Sequence, residues 1–195
     1  MLSLVVGLAR LASAVQEAGA EVVLCDTCGL VEAASGGVAL KLAKINLLRP
    51  ATVFALQSRA ELEGLLVPLR RSRRVRIVDV PPSKARTPRN WLSRQAHRAA
   101  QFQRYFEDGR DLTFRWRRLA VLPAPHFLPQ RLAALEDAAG FVLGLGIVQT
   151  HHPSRGEVTL FTPLSSLAGV DVLHLGSILL DPVTFRDRPL SGGKE

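Results

Sequence analysis

The run Glu21-Val22-Val23-Leu24-Cys25-Asp26-Thr27-Cys28-Gly29 decides how the first half of this chain is read. Four consecutive apolar residues end on a carboxylate and open into a glycine loop, the pattern of a strand buried on both faces of a parallel sheet. Ahead of it, Leu4, Leu8, Leu11 and Val15 recur at helical spacing and Gly19 stands where a helix C-cap belongs, so residues 2–18 read as a helix. Behind it, Gly36-Gly37 closes the loop, residues 39–48 read as a helix, and Pro50 stops that helix before a second apolar strand at 52–56. A third helix at 61–69 and a third strand at 75–80 complete the alternation. Helix and strand in turn imply an α/β fold with a parallel sheet, whose ligands sit at the carboxyl ends of the strands.

The pattern changes after Pro81-Pro82. Thr87-Pro88 reads as a helix start, with Thr87 as N-cap and Pro88 at the first helical position, and a basic helix continues to about residue 106. Beyond Gly109, strand-like runs at 114–122, 140–150, 156–162 and 170–180 are separated by Gly, Pro and Ser, as in a small antiparallel barrel or sandwich. The expected boundary lies near residue 119, giving an α/β part at 1–118 and a small β domain at 119–195.

Charge is concentrated in the middle of the chain. Residues 59–118 hold 16 Lys/Arg against 6 Asp/Glu, whereas residues 1–58 balance at zero and residues 119–195 come to −2, within a total of +8. A positive field of this kind attracts polyanions, nucleic acid or nucleotide phosphate first among them, although a solvated arginine-rich surface carries the same charge. The longest apolar stretch, residues 2–15, is interrupted by Arg10 and is shorter than the roughly 20 residues a membrane span needs. No basic residue precedes it, as a secretory signal would require. Two cysteines give no disulfide framework, and the reading is a cytoplasmic protein with no membrane partner.

Few residues point to chemistry by themselves. Cys25-x-x-Cys28 has no second ligand pair for zinc and follows a strand rather than opening a helix, so neither a metal site nor a redox dithiol is expected. Asp26, at the end of an apolar strand, has the place of a magnesium-holding aspartate in a P-loop enzyme. No stretch, however, matches Gly-x-x-x-x-Gly-Lys-Ser/Thr, whose backbone N–H groups surround phosphates; Gly192-Gly193-Lys194 lacks the earlier glycine and the hydroxyl residue.

Taken in order, Asp26-Thr27-Cys28-Gly29-Leu30-Val31, Gly36-Gly37, Leu40-Lys41, Lys44-Ile45 and Leu48-Arg49-Pro50 resemble the segment that follows the P-loop half of the polynucleotide 5'-hydroxyl kinases. These include the RNA kinases of tRNA splicing, mRNA 3'-end formation and rRNA processing. The resemblance continues through Pro81-Pro82-Ser83, Arg89, Arg94, Arg98 and Tyr105-Phe106. Gly140-Phe141, Gly144 to Val148, Thr162-Pro163 and Leu175-Gly176 extend it into a C-terminal β domain. It implies the distal part of a P-loop kinase domain with an arginine-rich lid at about 82–110. The implied activity is ATP-dependent phosphorylation of RNA or DNA 5' ends, with Mg2+.

By the same resemblance, Arg89, Arg94 and Arg98 would face phosphates as catalytic groups, and Thr27 and Gly29 would clasp the substrate strand. Lys41, Lys44, Arg71, Arg73 and Arg74 are further candidates for the substrate backbone. Arg94 and Arg98, four apart, share one helix face, where two guanidinium forks can grip one phosphate chain. Leu30 stands where the family often has an aromatic residue, which removes a stacking platform for a base. The family also places its P-loop, a metal-binding aspartate and about half the sheet ahead of the segment that opens this sequence. The expectation is therefore a chain inactive alone: a truncated product, one half of a split enzyme whose partner chain carries the P-loop, or a repurposed non-catalytic module that binds nucleic acid or a partner.

Overall fold

In the computed structural model, the structure describes residues 2–32, 34–85 and 90–190, which fall into two compact units, Met1–Thr87 and Pro88–Glu195. The basic helix thus groups with the β strands, and the division falls between residues 87 and 88.

The first unit runs α1 (Leu2–Glu17), α2 (Gly37–Leu48), β1 (Thr52–Leu56), α3 (Glu63–Ser72) and β2 (Arg76–Val80). β1 and β2 pair in parallel, Phe54 opposite Val78, joined by the crossover helix α3. Leu65 and Leu69, four apart on α3, fill the core with Val75 against Val38, Leu42, Ile45, Val53 and Ile77. At the solvent edge Arg70 bridges Glu63 of α3 and Asp79 of β2, each at 2.7 Å. Hydrogen bonds from Gln57 and Arg70 hold the Glu63 carboxyl below its usual range.

One expected strand is absent. Residues 21–26 form no ladder, and Val22, Val23 and Leu24 are exposed, Leu24 at 87%. Apolar composition supplies a reason to be buried, but a strand exists only through hydrogen bonds to a neighbour, and among the described residues β1 pairs with β2 alone. The sheet of this unit therefore has two strands where the sequence reading has three.

The second unit opens with α4 (Trp91–Tyr105), capped by Asn90, whose side chain accepts the Ser93 N–H at 2.8 Å. Thr87 and Pro88, the expected helix start, lie outside the described residues, and the observed helix begins at Trp91. The strands follow as β3 (Arg110–Arg115), β4 (Ala120–Leu122), β5 (Arg131–Glu136), β6 (Val142–His152), β7 (Glu157–Thr162), β8 (Val172–Leu180) and β9 (Asp187–Pro189). They form one sheet in the order β3-β7-β6-β5-β8-β4, with β9 on β8; every pairing is antiparallel except β4 with β8. The expected run 114–122 is broken by a 3₁₀ turn at Trp116–Arg118.

β5 escapes the sequence reading because Arg-Leu-Ala-Ala-Leu-Glu is built from good helix formers. Its burial nevertheless alternates strictly, with Arg131, Ala133 and Leu135 inward. The Arg131 guanidinium is satisfied by the carbonyls of Gly176 (2.7 Å) and His126 (2.8 Å), while burial pulls its pKa below the usual arginine value.

Both faces of the sheet are covered, as period-two alternation allows. Leu160, Val148 and Ala133 join one core with Leu135, Val158, Leu173 and Phe127. Their chain neighbours Phe161, Ile147 and Leu132 join another with Phe106, Phe102, Leu180 and Phe185. This second core seats the end of α4: Phe106 is 1% exposed and stacks between Phe161 and Phe185, and the Tyr105 hydroxyl accepts the Leu145 N–H at 2.7 Å.

Candidate functional site

In the first unit, the loop that follows the missing strand is held by α2. Gly36 adopts φ +74° and lets the chain turn into the helix. At Gly37 a β-carbon would lie 2.6 Å from the Leu30 carbonyl oxygen, so only glycine lets the loop lie across the helix start, where the Gly37 N–H donates to the Glu32 carbonyl at 2.9 Å. One turn further, Lys41 is 8% exposed and its Nζ donates to Thr27 Oγ1 (3.1 Å) and to the Cys28 carbonyl (2.7 Å). Asp26 accepts the Thr27 N–H at 2.7 Å, which fixes the turn from the other side.

Around this loop lies a cavity of about 620 Å³. Gln16, Asp26, Thr27, Cys28, Gly29, Lys41 and Lys44 supply its polar wall, and the length of β1 part of its apolar one. Four of the sequence candidates, Thr27, Gly29, Lys41 and Lys44, are therefore gathered at one cavity. Chemically the arrangement offers a hydroxyl, a glycine open to close backbone approach and the Lys44 ammonium to an anionic strand, with the Asp26 carboxylate beside them. Lys41 is a positioning residue here, since two of its three donors are committed to the loop. Its replacement by methionine keeps the stem but frees the loop and should destabilise the unit by ~1–3 kcal/mol. Hydrogen exchange at residues 27–31 is the direct check, and unchanged protection there would refute the clamp.

The other candidates lie elsewhere. Arg71 is on the last turn of α3, and Arg73 and Arg74 follow in the turn before β2; all three are exposed and none lines the cavity. Arg94 and Arg98 are exposed on α4 in the second unit. Arg98 Nε meets Asp187 Oδ1 of β9 at 3.1 Å, a contact that leaves its two η nitrogens to engage another anion. Arg89 lies outside the described residues. Sequence reasoning missed Asp187, which is 89 residues from its partner and carries no local signal, and Phe54 and Leu56, read only as part of an apolar strand and exposed along the cavity wall. Cys25 and Cys28 are free and exposed, and among the described residues no group of three His, Cys, Asp or Glu is placed to hold a metal.

A parallel α/β crossover followed by a mostly antiparallel β unit defines a two-part architecture. The family model described as the mRNA cleavage and polyadenylation factor CLP1 P-loop matches residues 1–108, more than half of the chain, and the chain belongs to this family. No curated protein matches it. Among solved structures, one of the wild-type Clp1p–Pcf11p complex is similar over 90% of this chain and 51% of that one, with a TM-score of 0.64 and 11% identity. Another, describing an extended interface between Pcf11p and Clp1p and ATP loss in a point mutant, is similar over 72% and 42%, with a TM-score of 0.54 and 12% identity. At such identities the likeness is one of fold. The chain spans about half the length of the solved chains it matches.

No described helix is long and apolar enough to cross a membrane.

Proposed function

We propose that this chain is the distal, substrate-holding part of a polynucleotide 5'-hydroxyl kinase, binding the 5' end of an RNA or DNA strand. The observation that carries this reading is the Lys41 clamp, which holds Thr27 and Cys28 in a fixed turn beside Lys44 at the cavity. Such a turn presents a hydroxyl and the Lys44 ammonium to phosphate and ribose, the groups that position a nucleic acid without reading its sequence. Family membership over residues 1–108 supports it.

The chain's own residues do not fit the binding of ATP and Mg2+. The sequence has no phosphate loop, and the described residues hold no metal-ligand cluster. Both would have to be held by a segment or a separate chain that carries the P-loop half. Purified by itself, this 195-residue chain should give no turnover in a radiolabelled phosphate-transfer assay on a 5'-hydroxyl oligonucleotide, yet it should bind that oligonucleotide more weakly when Lys44 is changed to Glu. Clear metal-dependent product from the chain alone would overturn the first expectation, and unaltered binding by the Lys44→Glu variant the second.

A second reading, a non-catalytic nucleic-acid-binding or partner-binding module, is favoured by the apolar wall of the same cavity. Phe54 (59% exposed) and Leu56 (64%) leave β1 open to another chain. Co-purification with a P-loop chain that restores transfer would decide for the enzyme, and co-purification without activity for the module.

A further inference from the structure

The second unit carries a basic surface that includes none of the sequence candidates. Arg115 ends β3, and Arg117 and Arg118 follow in the 3₁₀ turn. The Trp116 backbone N–H donates to the Gly156 carbonyl at 3.1 Å, which brings this turn against the β6–β7 turn that follows His152 and carries Arg155. Arg115 stands opposite Glu157 on β7, and Glu157 opposite His152 on β6, so one row of the sheet reads Arg, Glu, His. Arg115, Arg117, Arg118 and Arg155 thus lie on two bonded turns, with the half-buried Glu157 carboxylate opposite Arg115 and Asp171 beside Ala120.

These arginines are exposed, and among the described residues none of the four is in an ion pair, whereas Arg70 and Arg98 are. The surface beneath Arg117 is closely packed. Trp116, Phe127 and His151 pack ring on ring, with centroids 4.7 to 6.3 Å apart. Arg131 pins the residue before Phe127 through the His126 carbonyl. Arg117 lies over the Trp116 ring at 5.7 Å and against Gly156, whose φ of +64° keeps the turn tight beneath it. Arg117 is therefore seated on an aromatic ring, and among the described residues the only carboxylate opposite the cluster, Glu157, is not in an ion pair with any of the four.

We infer that this end of the β unit binds the phosphodiester backbone of a single-stranded polynucleotide, at a surface that shares no residue with the Thr27–Lys41 cavity. Protein partners are anchored by aromatic side chains that project into pockets, but here the Trp116 ring lies under Arg117 and packs on Phe127 and His151, while the four arginines are exposed. Guanidinium forks without an apolar anchor suit phosphate, which they grip in a bidentate manner and without base selection. This surface goes beyond the 5'-end reading and does not depend on it.

The test uses the whole chain and a fluorescent circular single-stranded oligonucleotide, in RNA and DNA forms. A circle has no 5' end, so failure of the 5'-end reading leaves the result intact. Arg115→Ala with Arg117→Ala should weaken binding by roughly tenfold and reduce the slope of log affinity against log salt by about 1.4, because two fewer phosphates are neutralised. Arg118→Ala with Arg155→Ala should do the same without disturbing the Trp116 ring, and Arg110→Ala, at the far end of β3, should leave the affinity near wild type. Wild-type affinity and salt slope in both double variants would overturn the proposal. So would equal displacement by polyglutamate at matched charge, which would make the surface one for an acidic protein.

Discussion

Phe106→Ala should destabilise the second unit by ~3–5 kcal/mol, a large part of the whole stability of a domain. Phe106 follows α4 directly and is 1% exposed. It packs on Ile147 and Leu180 and stacks with Phe161 and Phe185. The deletion removes the ring's transfer energy, opens a cavity that three strands and a helix cannot all close, and loses two aromatic pairs. Denaturant unfolding monitored at the two tryptophans, both of which lie in this unit, would measure it. Phe102→Ala, one turn earlier and only half-buried, should cost clearly less. A loss below ~1 kcal/mol at Phe106 would show that α4 is not docked on the sheet, and the fixed placement of Arg94 and Arg98 would fall with it.

The largest expected functional effect concerns those arginines. If the P-loop half is restored by fusion or in trans and transfer activity returns, Arg94→Ala or Arg98→Ala should each reduce turnover by about 100- to 1000-fold, the loss seen when one preorganised electrostatic donor is removed. The two lie one turn apart on α4, so their forks share a face, and phosphoryl transfer depends on positioning and neutralising spread charge. Arg104→Ala, on the last turn of the same helix, should cost far less. Lysine at position 94 should rescue in part, since it keeps the charge and loses the planar fork. The Arg98–Asp187 pair adds a second readout: Asp187→Asn frees the guanidinium and should move turnover in a reconstituted enzyme while Arg94 variants respond as before. Equal, small and salt-erased losses at 94, 98 and 104 would mark α4 as a solvated basic helix.

The two readouts divide cleanly. The stability of Phe106→Ala reports on docking of the helix, and the turnover of the arginine variants reports on its exposed face. A lysine-rescued loss of turnover with an unchanged unfolding curve would separate chemistry from structure.

The sequence alone determined the local elements whose signals lie within a turn or a strand. α1, α2, α3, β1 and β2 follow from apolar spacing, from glycine at positions 19, 36 and 37, and from Pro50, because helix periodicity and backbone breakers act over a few residues. Family membership was legible for the same reason: the order from Asp26 to Pro50 is linear information, and residues 1–108 match the family. Thr27 and Lys41 were each legible as candidates. That Lys41 is spent on holding Thr27 and Cys28 was not, since it depends on a glycine at position 37 bringing the loop within reach of the helix.

Only the tertiary structure decided the features that need a partner distant in the chain. The run 21–26 has the composition of a strand, yet a strand is a relation between two segments, and none of the described residues pairs with it. β5 reversed the error: Ala, Leu and Glu favour a helix, but β6 and β8 on either side impose the ladder. The destination of each arginine was settled in the same way. Arg131 is buried on two carbonyls, Arg98 meets an aspartate 89 residues away, and Arg117 lies against Gly156 in the turn of Arg155, to which Trp116 is bonded. Charge is written in the sequence, but which charges are paired depends on distances that only the folded chain sets.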